Sequence, residues 1–222
     1  MPKSLLERLA DLHAERVATW DPAALQVNID QRRTLVETAD HGAWLKVEDK
    51  VPDFDLREVD GDALTSRSLT AQGPAVLIFF RFAGCPACNI ALPYYAETLW
   101  PGLRDLGATL TAVSPQVPER LVEIKRRHQF AFNVASDLNV LGEALGILYE
   151  FDEPSKASAR AKGSFIGDTT GTGDWRLPMP TAVVMDRRGL AAFVDVSPDW
   201  LARTEAEPIL DAVRALTLAE AA

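Results

Sequence analysis

Cysteine and histidine are both scarce in this chain of 222 residues. The two cysteines are Cys85 and Cys88, and the three histidines are His13, His41 and His128. The histidines show no spacing typical of metal ligands, so a zinc site would need a second subunit, and we expect neither a metal nor another cofactor. Basic residues are outnumbered by acidic ones, and the formal net charge of −9 argues against nucleic acid as a partner.

Long hydrophobic runs are also missing from the sequence. No stretch approaches the roughly 20 apolar residues that a membrane span needs, so we expect no membrane partner. The first residues mix charges with leucines and lack the apolar core of a secretory signal. Reducible cysteines without an export signal predict a cytoplasmic location.

The segment Cys85-Pro86-Ala87-Cys88 directly follows the apolar run 75–80. A C-x-x-C that leaves a buried strand and opens a helix is typical of a redox dithiol, because both sulfurs meet within one helical turn. A helix N-terminus favours negative charge, and proline suits the first helical position. The pattern therefore predicts that Cys85 attacks the substrate with a lowered pKa and that Cys88 resolves the product.

Three other interpretations of the two cysteines remain open. A structural disulfide would close so small a loop that it restrains the unfolded chain little. The pair is otherwise half of a zinc site shared between subunits, or two inert core residues. The position between a buried strand and a helix favours the redox dithiol over all three.

The first 45 residues have a helical pattern. Ser4 and Glu7 form a capping-box signature before leucines at helical spacing, and Pro22 suits the first residue of a second helix. We expect a helical N-terminal extension over residues 1–45 and an α/β domain over residues 46–222. The extension either docks on the core of its own chain or serves as an arm for a homodimer.

Short strands alternate with helices in the second part of the chain. Predicted strands cover residues 54–59, 75–80, 108–113, 130–135, 181–185 and 190–196, and predicted helices cover 85–106, 118–129, 137–148 and 205–218. This alternation, which ends in a hairpin and a helix, predicts a mixed central sheet flanked by helices. Residues 152–175 are rich in Ser and Gly and lack periodicity, so we expect a mobile excursion near the active face.

Two local patterns resemble the thioredoxin fold: a proline inside the C-x-x-C helix, and Met179-Pro180-Thr181 before an apolar strand, with Pro180 as the cis-proline. The segments 51–56, 80–89, 114–116 and 175–180 resemble the AhpC/TSA family, the peroxiredoxin-like proteins, in its C-x-x-C-bearing subgroup. The resemblance implies a thioredoxin-like fold and an antioxidant thiol–disulfide oxidoreductase. Its substrate would be a disulfide or a hydroperoxide, and its reductant would be of the thioredoxin or glutathione type.

Three departures from the patterns of these relatives bear on mechanism. Phe82 stands where peroxiredoxins carry a threonine, and Pro180 stands where they carry an arginine, so we expect Arg81 or Arg176 to supply the missing cation. Phe79 replaces the buried acid of thioredoxins.

We expect the protein to reduce both disulfides and peroxides, with disulfide reduction at least as efficient as peroxide reduction. The alternative is a non-catalytic redox sensor or binding module on the same fold.

Overall fold

The computed structural model of the protein describes residues 3–221, with side chains up to residue 219. The helices in this part of the chain are α1 (Leu5–Thr19), α2 (Pro22–Thr38), α3 (Ser66–Thr70), α4 (Pro86–Thr98), α5 (Trp100–Asp105), α6 (Pro118–His128), α7 (Val140–Ala144), α8 (Glu153–Ala161), α9 (Ile166–Thr170) and α10 (Ala206–Ala221). The strands are β1 (Asp55–Glu58), β2 (Ala63–Thr65), β3 (Ala75–Phe79), β4 (Thr109–Ser114), β5 (Asn133–Ser136), β6 (Leu148–Glu150), β7 (Arg176–Pro178), β8 (Thr181–Met185) and β9 (Ala191–Val196). Within residues 3–221, none of the helices has the length and apolar character needed to cross a membrane.

Seven strands form one mixed sheet in the order β2-β1-β5-β4-β3-β8-β9. The central strands β3, β4 and β5 run parallel, which requires crossover connections, and α4 to α6 lie in those connections. The outer strands pair antiparallel, and β6 and β7 form a separate antiparallel ribbon. The structure therefore has the mixed sheet flanked by helices that the sequence predicts.

Strand β3 lies between β4 and β8, and all of its side chains are buried. Ile78 and the following Phe80 belong to the core on the face that α4 covers, whereas Leu77 and Phe79 belong to the core on the opposite face. Because both faces are covered, the strand is a continuous apolar run rather than an alternating one. This packing fixes the carboxyl end of β3, where residues 81–85 begin.

The N-terminal helices pack on the α/β part of their own chain. Ser4 and Glu7 form the predicted capping box at the start of α1. Leu5 and Leu9 are fully buried in the core cluster that also contains both cysteines. The Glu205 carboxylate accepts the first two N–H groups of α1 at 3.1 and 2.9 Å. The extension thus docks within the chain, and a homodimer stays a prediction.

Two predicted helices are shorter than expected. The helix predicted over 85–106 divides into α4 and α5, because Pro101 has no N–H to continue the helical hydrogen bonds. The helix predicted over 137–148 is reduced to α7, and the chain then turns at Gly146, where φ is +71°. A Cβ atom on Gly146 would lie 2.2 Å from the Ala43 carbonyl oxygen, so this close approach also requires glycine.

The prediction of a mobile excursion over residues 152–175 was wrong in expecting no regular structure there. This segment contains α8 and α9. The Asp152 side chain caps α8 by accepting the Ser155 N–H at 2.9 Å, and Pro154 lies in the first turn. Gly171 ends α9 in the left-handed region, with φ +84°. The helix-start signals were present in the sequence, but the Ser and Gly content obscured them.

Candidate active site

The C-x-x-C segment lies between the end of β3 and the start of α4. Cys85 is the N-cap residue of α4, and Pro86 is the first helical residue. Cys88 lies one turn inside the helix, and its N–H donates to the Cys85 carbonyl at 3.1 Å. Both cysteines are free thiols, with exposed fractions of 2% for Cys85 and 0% for Cys88. A substrate therefore has to enter a covered site.

Side-chain amides hold the loop that leads into the dithiol. Gln116 accepts the N–H of Ala83 at 2.8 Å and donates to the Thr169 carbonyl at 3.0 Å. Asn89 donates to the carbonyls of Ala83 and Cys85 at 2.7 and 2.9 Å. The loop is thus tied both to α4 and to the end of α9, and this fixes Cys85 relative to the sheet.

Two arginines face the sulfurs. The Arg203 guanidinium is buried, with Nη2 3.5 Å from the Cys88 Sγ and Nε donating to the Trp200 carbonyl at 2.9 Å. The Arg81 guanidinium lies 4.5 Å from the centre of the Trp200 ring, and the Arg81 backbone N–H favours the thiolate form of Cys88. The charges of both arginines act on both sulfurs, and both favour a thiolate in the pair.

The two thiols form a tightly interacting pair with one favoured position for negative charge. Burial, and the hydrogen bond to Cys88, raise the pKa of Cys85 well above its ordinary value. Burial also opposes ionisation of Cys88, but the hydrogen bond from Cys85 and the Arg203 guanidinium hold the pKa of Cys88 well below its ordinary value. The predicted low pKa of Cys85 is therefore wrong for this closed arrangement. Burial outweighs the helix N-terminus, and the contacting cation lies beside the other sulfur.

Aromatic side chains lie against the Arg81 guanidinium. Tyr149 stacks with Trp200 and with Phe151, each with ring centres 6.0 Å apart. Burial raises the pKa of Tyr149 to about 12, while the charge of Arg81 opposes this rise and that of Cys85 adds to it. The Tyr149 hydroxyl is thus protonated near neutral pH. Neither this hydroxyl nor the Arg81 Nε has a hydrogen-bond partner within the described residues, and both atoms are buried.

The predicted cis bond between Met179 and Pro180 was wrong, since no peptide bond in residues 3–221 is cis. The Met179 N–H donates to the Ile147 carbonyl, and the Pro180 carbonyl accepts the Ser197 N–H, each at 2.8 Å. The default trans isomer satisfies these groups, and neither is left to pair with a substrate backbone. Pro180 and Arg203 line the same small enclosed gap, which brings Pro180 next to the arginine that contacts the dithiol. A catalytic role for Pro180 stays a prediction.

Of the two arginines expected to supply the missing cation, Arg81 lies at the thiols and Arg176 does not. Arg176 pairs with Asp174 at 2.9 Å and with Glu143 at 3.3 Å. Phe82, at the threonine position, offers only its ring, which lies 5.8 Å from the Arg81 guanidinium. The structure thus brings Cys85, Cys88 and Arg81 together.

Sequence reasoning missed three residues of this site: Tyr149, Trp200 and Arg203. Trp200 and Arg203 lie in the loop after β9, and no motif connects that loop with the C-x-x-C segment. Tyr149 lies at the centre of β6, where it is buried between a half-buried and an exposed neighbour. That alternation is a strand signal, but the helix predicted over residues 137–148 included the first residue of β6 and obscured the signal.

The described residues contain no set of ligands for a zinc site within one chain. Between residues 3 and 219, no group of three or more His, Cys, Asp or Glu side chains could hold a metal ion. His128, the last residue of α6, has its Nε2 2.9 Å from the Asn89 Oδ1. The interpretation of the dithiol as half of a zinc site therefore depends on a second subunit.

The chain is similar to known proteins in family and in structure. The model of the AhpC/TSA family matches residues 47–192. A comparison with curated proteins found no match. Peroxidoxin BcpB from Mycobacterium tuberculosis is similar in structure, with a TM-score of 0.59 and 20% identity over 78% of this chain and 98% of that one.

Two further solved structures share this architecture. A peroxiredoxin-like protein from Aquifex aeolicus aligns with a TM-score of 0.61 and 18% identity over 78% of this chain and 88% of that one. Peroxiredoxin Q from Xanthomonas campestris aligns with a TM-score of 0.54 and 18% identity over 80% of this chain and 98% of that one. These similarities confirm the thioredoxin-like α/β fold. With the family match over residues 47–192, they show that the chain belongs to the AhpC/TSA family and is a thiol-dependent oxidoreductase of the peroxiredoxin-like kind.

Proposed function

We propose that the protein reduces small hydroperoxides with the dithiol of Cys85 and Cys88. A hydroperoxide needs donors that hold its oxygens and stabilise charge as the O–O bond breaks. The Arg81 Nε and the Tyr149 hydroxyl are buried and lack partners within the described residues, and the charge of Arg81 acts on the thiols. This pair of free donors is the observation that carries the proposal, since Phe82 offers no donor.

The reaction begins when Cys85 gives its proton to the Cys88 sulfur and attacks the distal peroxide oxygen. An S–O bond forms, the O–O bond breaks, and the leaving alkoxide takes the proton now held by Cys88 to become an alcohol, which leaves a sulfenic acid on Cys85 and a thiolate on Cys88. The Cys88 thiolate then attacks the sulfenic sulfur, and the departing hydroxide takes a proton from solvent to leave as water as the disulfide forms. The dithiol, which began with one proton, has lost that proton and two electrons, which an external dithiol restores by exchange.

Arg203 keeps Cys88 deprotonated in this scheme. Its guanidinium lies 3.5 Å from the Cys88 Sγ and lowers the pKa of that thiol, so the Cys88 sulfur is free to accept the proton of Cys85, and the transfer runs against the difference in pKa between the two thiols. The buried acid that Phe79 replaces is then not required. Cys85 attacks because it lies at the helix start, whereas Cys88 lies one turn deeper and is fully covered.

Disulfide reduction is the second candidate, because two thiols that share a hydrogen bond can exchange with a disulfide without oxygen-binding donors. The sequence alone favours it at least equally with peroxide reduction. The engaged backbone groups of Met179 and Pro180 weigh against an extended protein substrate, so we place hydroperoxides first and small disulfides second. The reductant is expected to be of the thioredoxin or glutathione type.

Steady-state turnover tests the proposal. NADPH consumption is followed with a thioredoxin or a glutathione system, with hydrogen peroxide, an alkyl hydroperoxide or a small disulfide as the oxidant. We expect continuous peroxide-dependent consumption that Cys85→Ser abolishes. Faster turnover with the disulfide would reverse the order of the two candidates. A single stoichiometric oxidation without turnover would favour the non-catalytic redox sensor.

A further inference from the structure

The core-facing stripe of α1 ends in an arginine. Leu5, Leu9, Leu12 and Arg16 follow one another at intervals of four, three and four residues, which places them on one face of the helix. Arg16 is buried like Leu5 and Leu9, with 6% of its surface exposed. Its guanidinium lies 4.8 Å from the centre of the Trp20 ring, and its Nη1 is buried without a hydrogen-bond partner in the described residues. A buried charge of this kind is costly unless something compensates it.

The packing of α1 against α4 places Arg16 near the dithiol. Nearer the start of α1, Arg8 pairs with Glu97 at 2.9 Å and lies 5.2 Å from the centre of the Tyr94 ring, so it marks the C-terminal half of α4. Eight residues further along α1 correspond to about 12 Å, and the same length back from Tyr94 along an antiparallel α4 reaches Pro86, next to Cys85. The charges agree with this placement, because the Cys85 charge acts on Arg16.

The second helix of the extension adds polar groups to the same region. Arg32 pairs with Asp199 at 3.1 Å, next to the Trp200 that Arg81 covers, and its Nε is buried without a partner. The Gln31 side chain is 4% exposed, and its Nε2 also lacks a partner within the described residues. Arg32 contacts Asp199 and Arg81 contacts the adjacent Trp200, and the charges of both arginines act on Arg16, so the three arginines lie in the same region.

Two of these arginines, Arg16 and Arg81, are not balanced by acidic side chains. Among the described residues, no carboxylate forms an ion pair with Arg16 or Arg81, and only Arg32 has one, in Asp199. The protein as a whole is acidic, with a formal net charge of −9, so the cluster is not part of a generally basic surface. An external anion would compensate it, and a planar carboxylate fits the fork of a guanidinium best.

We infer that the extension completes the active site, in which Arg16, Arg32 and Arg81 bind a carboxylate of the substrate beside Cys85. The inference rests on the proposed function, because it names the substrate class: a small molecule with a carboxylate close to its hydroperoxide or disulfide. Arg16 and Arg32 lie outside residues 47–192, the part of the chain that the family model matches. The subsite is therefore a property of this chain's extension.

Alkylation tests the subsite without any need for turnover. Iodoacetate and iodoacetamide have the same leaving group and reacting carbon, but only iodoacetate carries a carboxylate. The rate of each is measured on the fully reduced protein, and mass spectrometry resolves labelling at Cys85 from labelling at Cys88. The ratio of the two rates cancels the accessibility of the thiol and reports the preference for an anion.

We expect the iodoacetate-to-iodoacetamide ratio at Cys85 to be about tenfold higher in the folded protein than in the same protein unfolded in urea. Arg16→Gln should remove most of that preference, and Arg33→Gln should keep it, because Arg33 is an exposed arginine of the same extension. A folded ratio equal to the unfolded one would overturn the inference even if Arg16→Gln failed to fold. An unchanged ratio in a folded Arg16→Gln protein would also overturn it.

A second experiment distinguishes whether the carboxylate belongs to a hydroperoxide or to a disulfide. Turnover of a carboxylate-bearing hydroperoxide is compared with turnover of its methyl ester, and glutathione disulfide is compared with its ethyl ester. A kcat/KM at least about tenfold higher for one acid than for its ester supports the subsite and identifies the source. Equal values for acid and ester in both pairs overturn it. If no oxidant is turned over, the proposed function fails, and the alkylation ratio alone decides on the subsite.

Discussion

At the scale of single residues, Arg203 controls where the negative charge of the dithiol lies. Its guanidinium contacts the Cys88 sulfur and holds the pKa of Cys88 well below its ordinary value, against the effect of burial. Arg203→Gln should therefore raise the pH at which the first thiol of the reduced protein ionises, by about one unit or more. The ultraviolet absorbance of the thiolate, titrated against pH, measures this.

The matched control for Arg203 is Arg214→Gln, because Arg214 is an arginine of α10 that pairs with Glu207 and Asp211 away from the site. Its titration should coincide with that of the unmodified protein. If Arg203→Gln also left the titration unchanged, Arg203 would have no part in stabilising the thiolate.

Tyr149 is expected to act as an oxygen donor in peroxide reduction. Its hydroxyl is buried, lacks a partner in the described residues, and stays protonated because burial raises its pKa to about 12. Tyr149→Phe removes the donor and keeps the ring that packs on Trp200. The kcat/KM for hydroperoxide should fall about tenfold or more, while exchange with a small disulfide stays unchanged. Equal losses in both reactions would indicate a packing role instead.

At the scale of elements, α1 is anchored by Glu205. Burial opposes ionisation of this carboxyl, but hydrogen bonds from the Tyr94 hydroxyl and from the N–H groups of Leu6 and Leu5 hold the pKa of Glu205 below its ordinary value. Because the folded-state pKa is lowered, this stabilisation is present above the unfolded pKa of about 4.3 and is lost as pH falls through the folded value. Docking of α1 should therefore weaken in acid.

Replacement of Glu205 tests the anchor. Glu205→Gln should lower the free energy of unfolding by about 1 kcal/mol at neutral pH, as expected for loss of a charged helix cap, and should reduce the stability difference between pH 7 and pH 4. Chemical denaturation at both pH values measures the effect. Glu207→Gln, on the first turn of the neighbouring α10, is the control. A similar loss for both variants would assign the effect to net charge.

Local patterns predicted some elements and failed for others for physical reasons. The capping box of Ser4, the apolar run of β3 and the C-x-x-C helix start are set by neighbouring residues, and all three are confirmed. The site also depends on contacts between distant segments, such as that of Arg203 with Cys88, 115 positions apart. Spacing cannot reveal such contacts. Burial of the thiols, which raises the pKa of Cys85, is likewise a property of the assembled chain.

One further signal in the sequence points to the site. Arg16 continues the spacing of Leu5, Leu9 and Leu12, so a charged residue stands at a core-facing position of α1. A buried charge in an apolar stripe is a functional hint, because it is costly without a partner.

At the scale of the whole molecule, the extension is expected to be needed for stability. The division of the chain into residues 1–45 and 46–222 stays a prediction, because Leu5 and Leu9 share one core with both cysteines. Each buried leucine contributes about 1.5–3 kcal/mol relative to an exposed one. Removal of residues 1–44 should therefore lower the melting temperature markedly and raise the reactivity of Cys85 towards iodoacetamide.

Calorimetry and light scattering on the shortened protein separate the roles of the extension. An unchanged melting temperature would contradict intramolecular docking. A halved mass in solution would show that the extension also serves the homodimer that the sequence left open.

Trapping of the oxidised intermediate tests the central claim, that Cys85 attacks the oxidant and Cys88 resolves the product. The reduced protein receives one equivalent of hydrogen peroxide in the presence of dimedone, which marks sulfenic acids, and mass spectrometry locates the products. The unmodified protein should form a disulfide between Cys85 and Cys88, and Cys88→Ser should carry dimedone on Cys85. Cys85→Ser should carry none. Dimedone on Cys88 in the Cys85→Ser protein, with none on Cys85 in the Cys88→Ser protein, would contradict the assignment and make the low-pKa thiol the nucleophile.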